Sequence, residues 1–172
     1  MIDKDKREKF DIERFEKNKD ENNKYCFIDE EGYSVMEKKP ADYYWQGRRK
    51  LDELFQEYYK FYADGSIAEK GMQYYNFFLS GIWYEYDKKG KLIKTLDREK
   101  PYKNYPWEKF RALLEDEYKL DLFNPAVTIS RYILDEKFPK WRAFFGLPNN
   151  SPQIIVDVNT GEVQYEILQA IE

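Results

Sequence analysis

The chain of 172 residues contains no histidine and only one cysteine, Cys26. Without imidazole it cannot build a Ser-His-Asp or Cys-His catalytic site, or a zinc site with histidine ligands. A single thiol cannot form a disulfide within the chain, and it cannot supply a thiolate metal cluster by itself. We therefore expect a protein without a metal or cofactor that needs no oxidising compartment.

Long apolar runs are also missing. No stretch approaches the roughly 18 apolar residues of a membrane-spanning helix, and the charged N-terminus lacks the apolar core of a secretory signal peptide. These features predict a cytoplasmic protein with no membrane partner. The net charge of −4 is opposite in sign to that of a general nucleic-acid binder, so no nucleic-acid partner is expected. The mild acidity fits a basic protein partner, or serves only solubility.

Aromatic residues, in contrast, make up 19% of the chain, which suits half-buried sheet faces and contact surfaces. Over residues 56–97 an aromatic run, a turn glycine and a charged strand occur twice, with Gly65 and Gly90 as the turn glycines. Glycine supplies the positive φ that a tight hairpin needs. The pattern therefore predicts a four-stranded antiparallel meander, with strands over about 56–63, 66–75, 81–87 and 91–96.

The segment that precedes this meander, 1–55, has weaker patterns. Apolar runs on either side of Gly32 predict a short hairpin. Residues 48–55 have the three- and four-residue apolar spacing of a short amphipathic helix or turn. The apolar residues of 10–15 fit the start of a docking helix or strand.

The C-terminal segment, 98–172, predicts a helix followed by a small sheet. Residues 106–119 place their apolar side chains on one face, and Pro106 suits the first turn of a helix. Two strands and a closing hairpin around Gly161 follow. A helix can cover the apolar face of a small antiparallel sheet. The sequence therefore predicts an α+β fold, in which an antiparallel meander precedes a helix packed on a small antiparallel sheet.

The blocks 61–67 and 81–93 resemble the MORN-repeat variant of bacterial YwqK-like antitoxins. The features of that repeat are an aromatic strand, Asp-Gly or Asn-Gly at the turn, a following Lys-Leu-Ile and a Gly-x-Trp opening. This chain matches them with Asp64–Gly65, Lys91–Leu92–Ile93 and Gly81–Ile82–Trp83. Residues 155–163 are similar to the closing hairpin of a PepSY-like domain, and 10–15 with its following hairpin resembles the opening of such antitoxin-like proteins. The resemblance implies a MORN-like meander, a PepSY-like C-terminal unit and an immunity protein. Such a protein binds and neutralises a cognate bacterial toxin without catalysis.

Rigid aromatic side chains give a large contact area at low entropic cost, so the aromatic stretch 74–78 is a candidate contact patch. Core packing against the helix at 106–119 is the alternative interpretation of the same rings. Tyrosine hydroxyls and a carboxylate on the neighbouring strand are suited to a basic toxin surface. The predicted partner-binding residues are Tyr74, Tyr75, Phe77, Phe78, Tyr84, Tyr86 and Asp87.

Two other functions stay open at this point. The meander could belong to a general protein-interaction scaffold with no toxin partner. An enzyme would have to use carboxylates or tyrosine, and Glu115, Asp116 and Glu117 are the candidate acids. They lie on the polar side of the predicted helix, where a solvated surface explains them, so we expect no enzyme. The sequence leaves the toxin and the oligomeric state undetermined.

Overall fold

The computed structural model describes residues 9–75, 78–133, 138–146 and 150–169. The chain divides into two compact units, Met1–Arg98 and Glu99–Glu172. Each is built on an antiparallel sheet, of seven strands in the first unit and four in the second. This agrees with the α+β class, with more sheet than helix. Within the described ranges, no helix has the length and apolar character required to cross a membrane.

The first unit is a meander, because each strand pairs with the next one along the chain. It begins with helix α1, Ile12–Asn18. The strands are β1 (Lys24–Ile28), β2 (Ser34–Lys38), β3 (Tyr43–Arg49), β4 (Phe55–Tyr62), β5 (Ile67–Tyr74), β6 (Leu79–Tyr86) and β7 (Leu92–Asp97). The four strands predicted over 56–96 are confirmed as β4 to β7, with ends that differ by at most two residues.

The sheet also extends further towards the N-terminus than the glycine pattern predicts. The hairpin around Gly32 is confirmed as β1 and β2, and β3 joins it to the predicted strands. Residues 48–55 form a strand end, a turn and the start of β4, so the turn interpretation is confirmed and the helix is wrong. The physical reason is cross-strand pairing, in which Arg48 on β3 lies opposite Glu57 on β4. Leu51, which would have belonged to the apolar helix face, is 71% exposed.

Helix α1 covers one face of this sheet. It begins at Asp11, whose carboxylate accepts a hydrogen bond from the Arg14 backbone N–H at 2.9 Å. Phe15 is fully buried, and the ring of Phe10, just before the helix, stacks on Tyr44 with centroids 4.5 Å apart. Of the two structures expected for 10–15, the helix is observed. The cluster beneath it consists of Phe10, Phe15, Tyr44, Tyr59, Phe61 and Ile67.

The second unit packs a helix on a small sheet, as predicted. Helix α2, Trp107–Ala112, continues into a π-helical turn over Leu113–Glu117. The sheet order is β11-β10-β9-β8, and the strands are β8 (Thr128–Ile133), β9 (Pro139–Phe144), β10 (Asn150–Asp157) and β11 (Val163–Gln169). Trp141 on β9 is fully buried and stacks on Phe110 of α2 with centroids 5.1 Å apart. Its indole N–H donates to the Tyr105 carbonyl at 2.8 Å, so the central ring is both packed and hydrogen-bonded.

Candidate partner-binding site

Large apolar side chains are exposed at the β7 end of the seven-stranded sheet. Alternate residues of a strand point to the same face, so Ile82, Tyr84 and Tyr86 of β6 share one face. Leu92 of β7 lies opposite Tyr86 in the register and joins that face, and Ile93 follows at a β-bulge. Ile82, Leu92 and Ile93 are 43%, 47% and 59% exposed. These five residues are called the β6–β7 patch below.

The β6–β7 patch is continuous with the core beneath α1. Tyr86 is half-buried and packs against the aromatic cluster, and its backbone carbonyl accepts a hydrogen bond from the Tyr62 hydroxyl at 2.7 Å. The Lys70 ammonium lies 5.3 Å from the centroid of the Tyr86 ring. Tyr84, directly opposite Lys70 in the register, is also half-buried. The patch therefore packs on the aromatic cluster through Tyr86, and the Lys70 ammonium lies beside the Tyr86 ring.

The predicted residue Asp87 lies at the end of β6, where it shapes the hairpin. Its carboxylate accepts hydrogen bonds from the backbone N–H groups of Lys89 and Lys91, at 2.8 and 3.0 Å. Gly90 closes the same turn with a backbone bond to the Asp87 carbonyl and a φ of 77°. An aspartate at this position therefore has a local structural role, because it satisfies two turn amides.

The predicted stretch 74–78 separates into buried and exposed members. Tyr74 and Phe78 are 3% and 5% exposed and stack with centroids 5.0 Å apart, and Phe55 meets Tyr74 edge-on at 5.5 Å. These two rings are buried and contact Phe55 of β4. Tyr75 is 39% exposed, with the Arg49 guanidinium 3.9 Å from its ring centroid. Phe77 lies outside the described residues.

A buried charge network was not anticipated from the sequence. The Arg48 side chain is 4% exposed and donates to Asp29 at 2.6 Å, to Glu31 at 2.7 Å and to Glu57 at 3.2 Å. Its guanidinium also lies 3.4 Å from the centroid of the Tyr33 ring. Burial on its own lowers the pKa of Arg48, but the hydrogen bonds to Asp29 and Glu31 raise it above the ordinary value. These ion pairs join β3 to the turn between β1 and β2 and to β4, and so stabilise the register of the four strands.

Glu37 on β2 is the second buried charge of this face. Its Oε1 accepts hydrogen bonds from Arg14 Nη2 of α1 at 2.5 Å and from Gln46 Nε2 of β3 at 2.8 Å. Glu37 has no exposed surface, and its Oε2 has no hydrogen-bond partner among the described residues. Burial raises the pKa of Glu37 above its ordinary value, although Gln46 and Arg14 act in the opposite direction.

Next to these two networks lies a cleft of about 320 Å³ between the start of α1 and strands β1 to β4. Its apolar wall consists of Val35 and the rings of Phe10, Phe27 and Phe61. Its polar wall consists of Lys9, Asp11, Arg14, Asp29, Gln46 and Arg48. No local motif marks this cleft, because its residues come from five separate elements that only the strand register brings together.

The candidate acids Glu115, Asp116 and Glu117 lie in the π-helical turn that follows α2. Glu115 accepts a hydrogen bond from Arg111, one helical turn earlier, at 2.9 Å, and Asp116 and Glu117 are exposed. A side chain on an open helix surface paired with its i,i+4 neighbour is ordinary helix electrostatics. Across the described part of the chain, no group of three or more cysteine or acidic side chains lies close enough to hold a metal ion.

No protein-family model matches the chain, and no curated protein or solved structure matches it. The resemblance to MORN repeats and to a PepSY-like hairpin therefore rests on the quoted residues.

Proposed function

We propose that this chain is an immunity protein, which binds a cognate bacterial toxin and neutralises it by non-catalytic occlusion. The observation that carries the proposal is the β6–β7 patch, where Ile82, Leu92 and Ile93 are exposed beside two tyrosines. Contiguous exposed apolar side chains with a polar surround are typical of protein-binding sites. The patch lies in the part of the meander whose sequence resembles the antitoxin repeat.

The composition of the patch supports a tight interface. Tyrosine is enriched at binding hot spots, and an apolar centre with a polar rim is the usual anatomy of a specific interface. Thr95 and Lys70 lie opposite Tyr84 on the two neighbouring strands and supply polar groups between the apolar side chains. An interface of ordinary size buries about 1,600 Å² in total. A toxin that buries this area would cover the β6–β7 patch and the surface of the sheet around it.

The edge position of β7 supports the same proposal. Within the described residues β7 is the last strand of the sheet and pairs only with β6, and an edge strand is a template to which another chain can pair. Strand addition at an exposed edge is a common mode of recognition, in which backbone hydrogen bonds give affinity and side chains give specificity. The toxin is expected to contact the patch residues and the outer edge of β7 together.

Affinity capture from the native bacterium followed by co-expression tests this proposal. The tagged full chain should capture one stoichiometric protein that stops growth when expressed alone and is silenced by co-expression of the chain. Several weak partners with no effect on growth would contradict immunity and favour a scaffold. Loss of rescue after substitution of one buried polar residue, with toxin binding intact, would favour an enzyme.

The position of the interface is tested separately by hydrogen exchange of the purified complex. Amides of β6 and β7, over 79–97, are expected to gain protection when the toxin binds. The buried strand β9 of the second unit is the internal reference, and its protection should not change. Protection that appears only in 99–172 would show that the toxin binds elsewhere on the chain.

A further inference from the structure

Strand β11 of the second unit carries a row of exposed apolar side chains. Val163, Tyr165 and Ile167 are alternate residues of this strand, so their side chains point to the same face of the sheet. They are 37%, 51% and 52% exposed. These three residues are called the β11 stripe below.

The β11 stripe lies on the core face of its sheet. Ile154 of β10 lies opposite Tyr165 in the register. Val156 lies opposite Val163, and both β10 residues are fully buried. Directly opposed residues of antiparallel strands share one face. The Tyr165 ring stacks beside Tyr118 with centroids 6.2 Å apart. The core face is therefore covered over β10 and open to solvent over β11.

Strand β11 also lies at an edge of the sheet. Within the described residues it is the last strand and pairs only with β10. The Asp157 N–H donates to the Glu162 carbonyl at 3.0 Å, and hydrogen-bonded pairs alternate along an antiparallel ladder. The backbone N–H and C=O groups of the three stripe residues therefore point away from β10.

The residue types of β11 do not protect this edge from pairing. Lysine and proline are common on edge strands, where they prevent association with another strand. The other outermost strands, β1, β7 and β8, each contain a lysine or an arginine. Val163–Gln169 contains no basic residue and no proline. An edge of this kind is a template for a further strand.

The sequence of β11 is complementary to itself in one antiparallel register. When two copies pair about a two-fold axis at Tyr165, the members of the β11 stripe lie opposite one another. Gln164 then lies opposite Glu166, so an amide donor meets a carboxylate. A register centred one residue earlier places Glu162 opposite Glu166, and one centred a residue later places Glu166 opposite itself. Like charges directly opposite each other destabilise a strand pair, so the register centred on Tyr165 is favoured.

We infer that this chain forms a homodimer, in which the β11 strands of two copies pair antiparallel and bury the β11 stripe. The two four-stranded sheets become one sheet of eight strands, and the two-fold contact is closed. About five residues of each copy pair, fewer than the roughly 20–30 of a standard interface, so we expect a Kd on the order of 10 µM. The inference is independent of the toxin proposal, which concerns the other sheet.

Sedimentation equilibrium of the full chain tests the inference. The concentrations run from roughly tenfold below to tenfold above the expected Kd. The average mass should rise with concentration from 21.0 kDa towards twice that value. A mass that stays at 21.0 kDa over the whole range would overturn the homodimer.

A variant on the two-fold axis and a matched control locate the contact. Tyr165→Lys places two ammonium groups opposite each other and should weaken the dimer at least about tenfold. Tyr132→Lys makes the same change at an exposed tyrosine of β8, the opposite edge strand of the same sheet, and should leave the Kd unchanged. An unchanged Kd for Tyr165→Lys, or an equal loss for Tyr132→Lys, would contradict pairing at β11.

A second variant tests the register by a gain of affinity, which a folding defect cannot imitate. Gln164→Lys places an ammonium opposite Glu166 of the second copy, twice in each dimer. The Glu166 carboxylate also accepts a hydrogen bond from Gln153 at 2.7 Å, which holds it on this face. The variant should tighten the dimer about fivefold. No gain in affinity would contradict the register centred on Tyr165.

Hydrogen exchange distinguishes a second copy from the toxin as the occupant of the β11 stripe. The amides of Val163, Tyr165 and Ile167 should gain protection when the chain alone is concentrated from below to above its Kd. Protection of these amides that appears only after the toxin is added would assign the stripe to the toxin and overturn the homodimer.

Discussion

Replacement of Gly71 by alanine tests why a glycine stands in the middle of β5. A Cβ built at Gly71 would lie 2.6 Å from both Cδ2 and Nε1 of Trp83, far inside van der Waals contact. Trp83 is 3% exposed, and its indole N–H lies within hydrogen-bond distance of the carbonyls of Ser80 and Met72, at 3.0 and 3.2 Å. The indole therefore cannot move aside without losing both burial and hydrogen bonds.

Two opposing effects set the expected magnitude. Overpacking a buried site costs about 1–3 kcal/mol, whereas alanine in place of a strand glycine gains about 0.5–1 kcal/mol. For Gly71→Ala we expect a net loss of about 2 kcal/mol in the free energy of unfolding. In a Trp83→Ala background the obstruction is gone, so the same change should stabilise by about 0.5–1 kcal/mol. The coupling between the two positions should then be about 2.5–3 kcal/mol.

The assay is urea denaturation monitored by far-UV circular dichroism. Tryptophan fluorescence is unsuitable because Trp83 itself is replaced in two of the proteins. All four proteins of the double-mutant cycle are compared under one set of conditions. Additive effects, with Gly71→Ala equally costly in both backgrounds, would refute the argument that the indole requires the glycine. A stabilised Gly71→Ala single mutant would refute it too.

Three other changes test the packing and the charges by urea denaturation. Phe15→Ala should cost about 3–5 kcal/mol, because a fully buried ring leaves a cavity between α1 and the sheet; a cost below about 1 kcal/mol would contradict that position. Arg48→Met should cost about 3–5 kcal/mol, because Asp29, Glu31 and Glu57 lose their shared cation; no loss would show that the network is dispensable. Because burial raises the pKa of Glu37 above 4.5, the folded state holds its proton more tightly than the unfolded state. Wild type should therefore gain stability relative to Glu37→Gln as the pH falls from 7 through the raised pKa, and the gain should level off below 4.5; a difference that does not change with pH would contradict the raised pKa of Glu37.

The strands of the meander were predictable because their signals are local. Gly65 and Gly90 have φ values of 83° and 77°, which only a few residue types adopt easily, and the alternating residues around them define the strands. The C-terminal hairpin was predictable for the same reason, because Gly161 at its turn has a φ of 75°. Such features depend on neighbours a few residues apart, so the sequence displays them directly.

The candidate sites bring together residues that are far apart in the sequence, so they were only partly predictable from it. The sequence predicts Tyr74 and Phe78 as contact residues; in the structure Tyr74 ends β5, Phe78 immediately precedes β6, and their rings stack on each other. The cleft was missed because Arg14, Asp29 and Arg48, which line it, come together only through the register of β1 to β4 and the docking of α1. Charged residues spaced this far apart give no periodic signal.

The growth of bacteria that express the captured toxin, with and without this chain, tests the central claim most directly. Wild type should restore growth, and Ile82→Lys should lose most of the rescue, because it places a charge in the β6–β7 patch. Ile28→Lys is the matched control, since Ile28 is an exposed isoleucine of β1 at the other end of the same sheet, and it should rescue as well as wild type. Equal rescue by Ile82→Lys and wild type would contradict the patch as the toxin-binding surface, and no rescue by wild type would contradict the immunity function itself.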